Sequence, residues 1–179
     1  TGSNGYIGRN FIKKVEKKNI KIFAVTRKKK NKKIKNVKWL VGSIDKNWKE
    51  LKKSDILIHF ATVGAYDKKV DFNEAHEFNV LKSSKLLMNA INSNCKKWII
   101  ISTNKEEKIE KLIKLKEIQN ISSKELHYNY ALTKYIFSEM CKTYSKIFNI
   151  KCRILRLFHV YGNDEPNFRL WKLLNFHSR

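Results

Sequence analysis

The chain has 179 residues, 42% hydrophobic and 12% aromatic, which is enough apolar material for one packed domain and too much for a disordered chain. No run of about 18 apolar residues occurs, so a membrane-spanning helix is excluded, and Thr1-Gly2-Ser3-Asn4-Gly5 lacks the basic start and apolar stretch of a signal peptide. The net charge of +23 invites a nucleic-acid reading, but the lysines are spread everywhere, as at Lys13-Lys14 and Lys96-Lys97, without the interleaved aromatic residues that base stacking needs.

Tyr6 to Lys18 is a lysine-studded amphipathic stretch, and Ile20 to Val25 follows it as an aliphatic strand. Val37 to Val41 reads as a second strand. Asp55 to Phe60 reads as a third, its near-continuous apolar run suiting a strand covered on both faces. Asn73 to Asn92 has helical spacing through Phe78, Leu81, Leu86, Leu87, Ala90 and Ile91. Trp98 to Ile101 is another buried strand. Lys105 to Gln119 suits a charged helix, with loop onward to Asn129. Tyr130 to Phe148 is a helix and Ile150 to Phe158 a last strand. Strands alternating with helices at this spacing predict an α/β fold with a doubly wound parallel sheet, Rossmann-like.

A glycine-rich turn of the kind at Thr1 should follow a strand. The chain is therefore expected to be truncated before its first strand. The three cysteines, Cys95, Cys141 and Cys152, are scattered and without metal-ligand spacing, which suits reduced thiols in a cytoplasm.

Three constellations carry chemistry. Gly2, Gly5 and Gly8 permit a tight turn and close approach of backbone N–H groups to a pyrophosphate, with a helix N-terminus behind them. Taken alone the motif is weak. Trp98-Ile99-Ile100-Ile101-Ser102-Thr103 ends a buried strand in hydroxyls. Tyr130-Ala131-Leu132-Thr133-Lys134 sets a phenol and an ammonium on one helix face. A neighbouring positive charge favours phenolate, so such a tyrosine can exchange a proton with a sugar oxygen while hydride moves.

The order of these motifs resembles the extended short-chain dehydrogenase/reductases, the NAD-dependent epimerase/dehydratase family. Asp55-Ile56-Leu57-Ile58-His59-Phe60-Ala61-Thr62 is similar to that family's D-x-V-x-H-x-A-A. Phe78-Asn79-Val80 with Leu86-Leu87 resembles its Asn-Val helix. Arg156-Leu157-Phe158-His159-Val160-Tyr161-Gly162 resembles R-x-F-N-V-Y-G-P.

The resemblance implies a dinucleotide-binding domain over 1–162 and the start of a substrate-binding region over 163–179, where the chain is again expected to be truncated. It implies Tyr130 as general acid/base, Lys134 as the group that holds the nicotinamide ribose and depresses the Tyr130 pKa, and Thr103 on the reacting oxygen. The expected cofactor contacts are Gly2, Asn4, Gly5, Tyr6, Ile7, Gly8, Arg27, Ser43, Ile44, Phe60, Ala61, Thr62, Asn79 and Phe158, together with Tyr130 and Lys134. His159 stands at a substrate-side position usually held by Asn, and Asn163 replaces the following Pro. Val-Tyr-Gly is missing after Thr103, and the family's Gly-Asp appears as Gly42-Ser43-Ile44-Asp45.

The implied substrate is a nucleoside-diphosphate sugar, with no metal, nucleic acid or membrane, and with a homodimer as the full-length state. Dehydratases of the family follow the Thr with Asp-Glu. Asn104 and Lys105 stand there instead, which favours 4-epimerase or 4-keto reductase, with a non-catalytic cofactor-binding relative or a disfavoured 4,6-dehydratase as the alternatives. Ala24-Val25-Thr26-Arg27-Lys28 offers no carboxylate for a ribose 2′-hydroxyl, which tilts the cofactor from NAD toward NADP.

Overall fold

The computed structural model describes residues 1–28, 34–65, 70–116, 128–162 and 165. Helix α1 (Tyr6–Val15) starts at Gly5, whose extended backbone serves as N-cap, and carries Lys13 and Lys14 in its last turn, where positive charge suits the helix dipole. Strands β1 (Ile22–Thr26) and β2 (Val37–Val41) pair in parallel. A 3-10 turn at Lys49–Lys53 precedes β3 (Leu57–His59). Helix α2 (Phe72–His76) begins at Asp71, whose carboxylate accepts the Glu74 N–H. It runs through a π-helical segment, Glu77–Lys82, into α3 (Ser83–Asn92).

Strand β4 (Lys97–Thr103) leads into α4 (Glu106–Lys114), and α5 (Tyr128–Ile147) into β5 (Lys151–Leu157). Asn94 and Asn149 each adopt positive φ where a helix gives way to the next strand, a conformation Asn tolerates better than most residues. The 3-10 turn and the π-helical segment were not expected from the sequence. Helix α4 ends at Lys114; the last three residues expected in that charged helix, 117–119, and the expected loop over 120–127 lie outside the described residues, as does the substrate-region stretch apart from Glu165.

All strand pairs are parallel, in two groups: β1 with β2, and β3-β4-β5 in that order. The fold is α/β, doubly wound and Rossmann-like. Thr1 extends along the edge of β3 away from β4: its amino group donates to Ile58 O and its carbonyl accepts from Phe60 N. Among the described residues no ladder joins β1 to β3.

The main core lies where α3 and α5 cover the strands. Trp98 and Ile100 of β4 meet Leu86, Leu87 and Ala90 of α3 and Phe137 and Cys141 of α5, all nearly without exposure. Burial of side chains of this size stabilises by about 1.5–3 kcal/mol each. Helix α1 buries Tyr6, Gly8 and Ile12 outside that cluster. Among the described residues no helix is long and apolar enough to cross a membrane.

Candidate active site

Open parallel sheets leave a crevice at the carboxyl ends of their strands. Here that crevice is a cleft of about 730 Å³ lined by the ends of β1 through β5 and by the glycine turn. Three glycines build its floor for three different reasons. Gly2 has φ +70, and a Cβ there would lie 2.5 Å from Ala61 N. Gly8 lets α1 sit on the turn, since a Cβ there would come within 2.3 Å of Gly2 O. Gly5 has ordinary dihedrals, and its nearest obstacle is Gly2 O at 3.3 Å, so its missing side chain leaves space to the cleft instead. The first turn of α1 holds no acidic side chain, which leaves the positive end of the helix dipole facing the cleft.

The residues expected from sequence at the cofactor mostly line this cleft: Gly2, Asn4, Gly5, Tyr6, Ile7, Gly8, Arg27, Ser43, Ile44, Phe60, Ala61, Thr62, Tyr130 and Phe158. Thr103 and His159 line it too. Asn79 and Lys134 lie behind this lining.

Asn79 is 2% exposed and spends its amide inside the protein. Its carbonyl accepts from Thr62 Oγ1 at 2.9 Å and Val63 N at 3.0 Å, and its NH₂ donates to Val63 O and Thr133 Oγ1 at 3.1 Å each. It ties the loop after β3 to α5 and acts on the cleft through that loop.

Lys134 is also 2% exposed, with Nζ donating to Ile101 O at 2.8 Å. Burial pushes its pKa down to about 8, with the Glu106 carboxylate opposing the fall.

Tyr130 is half-buried at the start of α5, and Gly64, at φ +78, carries the loop past it with room for only ordinary contact. Thr103, 7% exposed at the end of β4, accepts the Lys105 N–H at 3.3 Å. The sequence order thus brings a hydroxyl and a phenol to the same cleft. At the end of β1, Arg27 and Lys28 are exposed and line the cleft as well. Thr26 is buried there and also lines the cleft, its hydroxyl bonded to the Lys28 backbone, so it shapes the turn.

His59, beneath the cleft, is held neutral: burial first, then the Lys134 charge, lowers its pKa well below the ordinary value. Its ring nitrogens meet Thr1 Oγ1 at 2.7 Å and Ser83 Oγ at 3.2 Å.

Sequence reasoning missed the buried cluster behind the cleft. Glu106 is fully buried, takes hydrogen bonds from Ser102 and Ser138, and pairs with Arg156 Nε at 2.9 Å. Arg156 also binds Glu110. The only sequence signal was Arg156 in a motif read for its other residues.

A family model described as "NAD dependent epimerase/dehydratase family" matches residues 1–174. No curated protein matches the chain. The fold is similar to UDP-glucose 4-epimerase from Thermus thermophilus in complex with NAD, at a TM-score of 0.72 and 15% identity over 99% of this chain and 60% of that one. UDP-glucose 4-epimerase from Thermotoga maritima, with UDP-glucose, gives 0.71 and 17% over 94% and 57%. DesIV, a dTDP-glucose 4,6-dehydratase from Streptomyces venezuelae with NAD bound, gives 0.69 and 17% over 99% and 61%. The chain spans about three fifths of the length of these structures.

Proposed function

The chain belongs to the NAD dependent epimerase/dehydratase family, and from that premise we propose that its cleft binds a nicotinamide dinucleotide and that the whole protein alters the sugar of a nucleoside-diphosphate sugar, as a 4-epimerase or 4-keto reductase. The observation that carries this is one cleft lined by the glycine turn, Thr103 and Tyr130 together. Gly2 and Gly8 pack so closely on backbone that side chains are shut out, while the space above Gly5 is open. That is the shape a pyrophosphate requires at a helix N-terminus.

The bound nicotinamide would accept or return hydride. Tyr130 moves the proton: as phenolate it takes the proton of a sugar hydroxyl, and as phenol it returns one to the keto oxygen. Thr103 donates to that oxygen and orients it. Lys134, kept positive, favours the phenolate. Phe158 and His159, both exposed, stand where the sugar and nicotinamide would meet.

Water elimination fits less well. Asn104 and Lys105 line the cleft after Thr103, and the next carboxylate, Glu106, is turned into the protein and bonded there. Among the described residues that stretch offers the cleft no carboxyl acid.

Arg27 and Lys28, with no carboxylate at the end of β1, support NADP over NAD as the preferred cofactor. A homodimer remains the proposed state of the full-length protein.

The test is Tyr130→Phe in the full-length protein. Turnover of UDP- and dTDP-sugars should fall by about 10²–10⁴ with cofactor affinity unchanged. Turnover within twofold of wild type (about 0.4 kcal/mol in the barrier) would refute the assignment.

A further inference from the structure

A buried ammonium needs a counter-charge, and the structure supplies one from an unexpected quarter. Lys134 Nζ, 2% exposed, donates to Ile101 O and lies 5.6 Å from the Phe137 ring centroid. The residue after Ile101 is Ser102, and the residue one turn after Lys134 is Ser138. Both donate to the same oxygen of Glu106, Ser138 at 2.8 Å. The carboxylate is therefore anchored one step from Lys134 along both the strand and the helix.

We propose that Glu106 is a positioning residue for the reaction put forward above: its buried carboxylate, clamped by Ser102, Ser138 and Arg156, holds Lys134 as an ammonium beneath the cleft. The proposal rests on the catalytic reading of Lys134. Its geometry does not.

Two other titratable groups face Lys134. His59 of β3 is kept neutral by burial. Cys141, on the same helix, is kept as a thiol by its hydrogen bond to Cys152 and then by burial. Among the described residues this leaves Glu106 as the charge that opposes the desolvation of Lys134. Arg156 does not cancel it, because the guanidinium reaches toward the surface, 26% exposed where Glu106 is 0%, and does not act on Lys134 directly. A buried pair of this kind survives only when its remaining hydrogen bonds are satisfied, and the two serines do that.

The bland alternative is that Glu106 only pins α4 to β5 through Arg156. Glu110 pins the same arginine from the next turn and does not appear among the charges acting on Lys134, so it is the internal control.

The experiment follows the ammonium signal of Lys134 by NMR in the full-length protein, identified by its loss in Lys134→Arg. The wild-type midpoint should lie near the value of about 8 set by its burial. Glu106→Gln should lower it by about one pH unit or more, and should move the alkaline limb of turnover to lower pH by the same amount. Glu110→Gln should leave both in place.

An unmoved midpoint in Glu106→Gln, or an equal fall in Glu110→Gln, overturns the proposal. Should Glu106→Gln fail to fold, Glu106→Asp, which keeps the charge but draws it back, should give a smaller fall, and no fall overturns it equally. The midpoint is read without turnover, so failure of the catalytic reading shows separately, as full activity in Lys134→Met.

Discussion

Two of the three glycines in the turn can be separated by substitution. At Gly8 a Cβ would stand 2.3 Å from Gly2 O and 3.0 Å from Gly2 C. That is about 1 Å inside the separation at which carbon and oxygen attract. The obstacle is backbone, so α1 or the turn must move. Overpacking of this kind costs about 1–3 kcal/mol, offset by about 1 kcal/mol of helix propensity gained from Gly to Ala. A clash this deep against backbone belongs at the upper end of that range, so Gly8→Ala should lose on the order of 2 kcal/mol.

Gly5 differs: its φ of −69 and ψ of 165 suit any residue, and Gly2 O at 3.3 Å is its nearest neighbour. Gly5→Val should cost about 1 kcal/mol, as a poorer N-cap and through the small shift that Gly2 O at 3.3 Å requires, yet fill the space over the start of α1. Urea unfolding and calorimetric titration with NAD and NADP, both on the full-length protein, separate the two effects. Gly8→Ala should unfold at lower urea, whereas Gly5→Val should unfold nearer wild type and bind neither cofactor. Wild-type affinity in Gly5→Val would refute the pyrophosphate site, and wild-type stability in Gly8→Ala would refute the packing account.

Arg27→Ala should narrow the ratio of NAD to NADP dissociation constants, because Arg27 is exposed at the cleft with no carboxylate beside it. A ratio that does not move, or a wild type that prefers NAD, counts against the NADP assignment. Lys134→Met should abolish turnover yet raise stability at neutral pH. The difference between the ordinary 10.5 and the buried value of about 8 corresponds to about 3 kcal/mol, an upper bound because Ile101 O loses its donor. The sign follows from proton binding. Below pH 8 both states hold the proton and the full cost applies. Between about 8 and 10.5 only the unfolded chain holds it, so the cost shrinks. Denaturation curves for variant and wild type should accordingly converge as pH rises through that window. A gap that stays constant with pH would refute the burial argument.

The alternation of strands and helices, the glycine turn and the Tyr130/Lys134 pair were all legible in the sequence, because each is a local pattern of short period. The cleft followed from them by topology, since parallel strands bring their carboxyl ends together. What lay behind its walls was not legible. Glu106 and Glu107 are adjacent and identical in kind, in a stretch that reads as a solvated charged helix. One is fully buried and the other exposed. The difference is set by Arg156, fifty residues on, and by Ser138 on another helix, which together decide the face on which α4 docks.

Asn79 shows the same limit. Its motif gave no sign of the four hydrogen bonds to Thr62, Val63 and Thr133 that hold its amide inside the protein. Lys134 keeps its place one turn from Tyr130, as the spacing required, while its burial under Ile101 depends on β4. Periodicity is a property of neighbours along the chain. Burial and charge state are properties of neighbours across it, and only the packed structure brings those together.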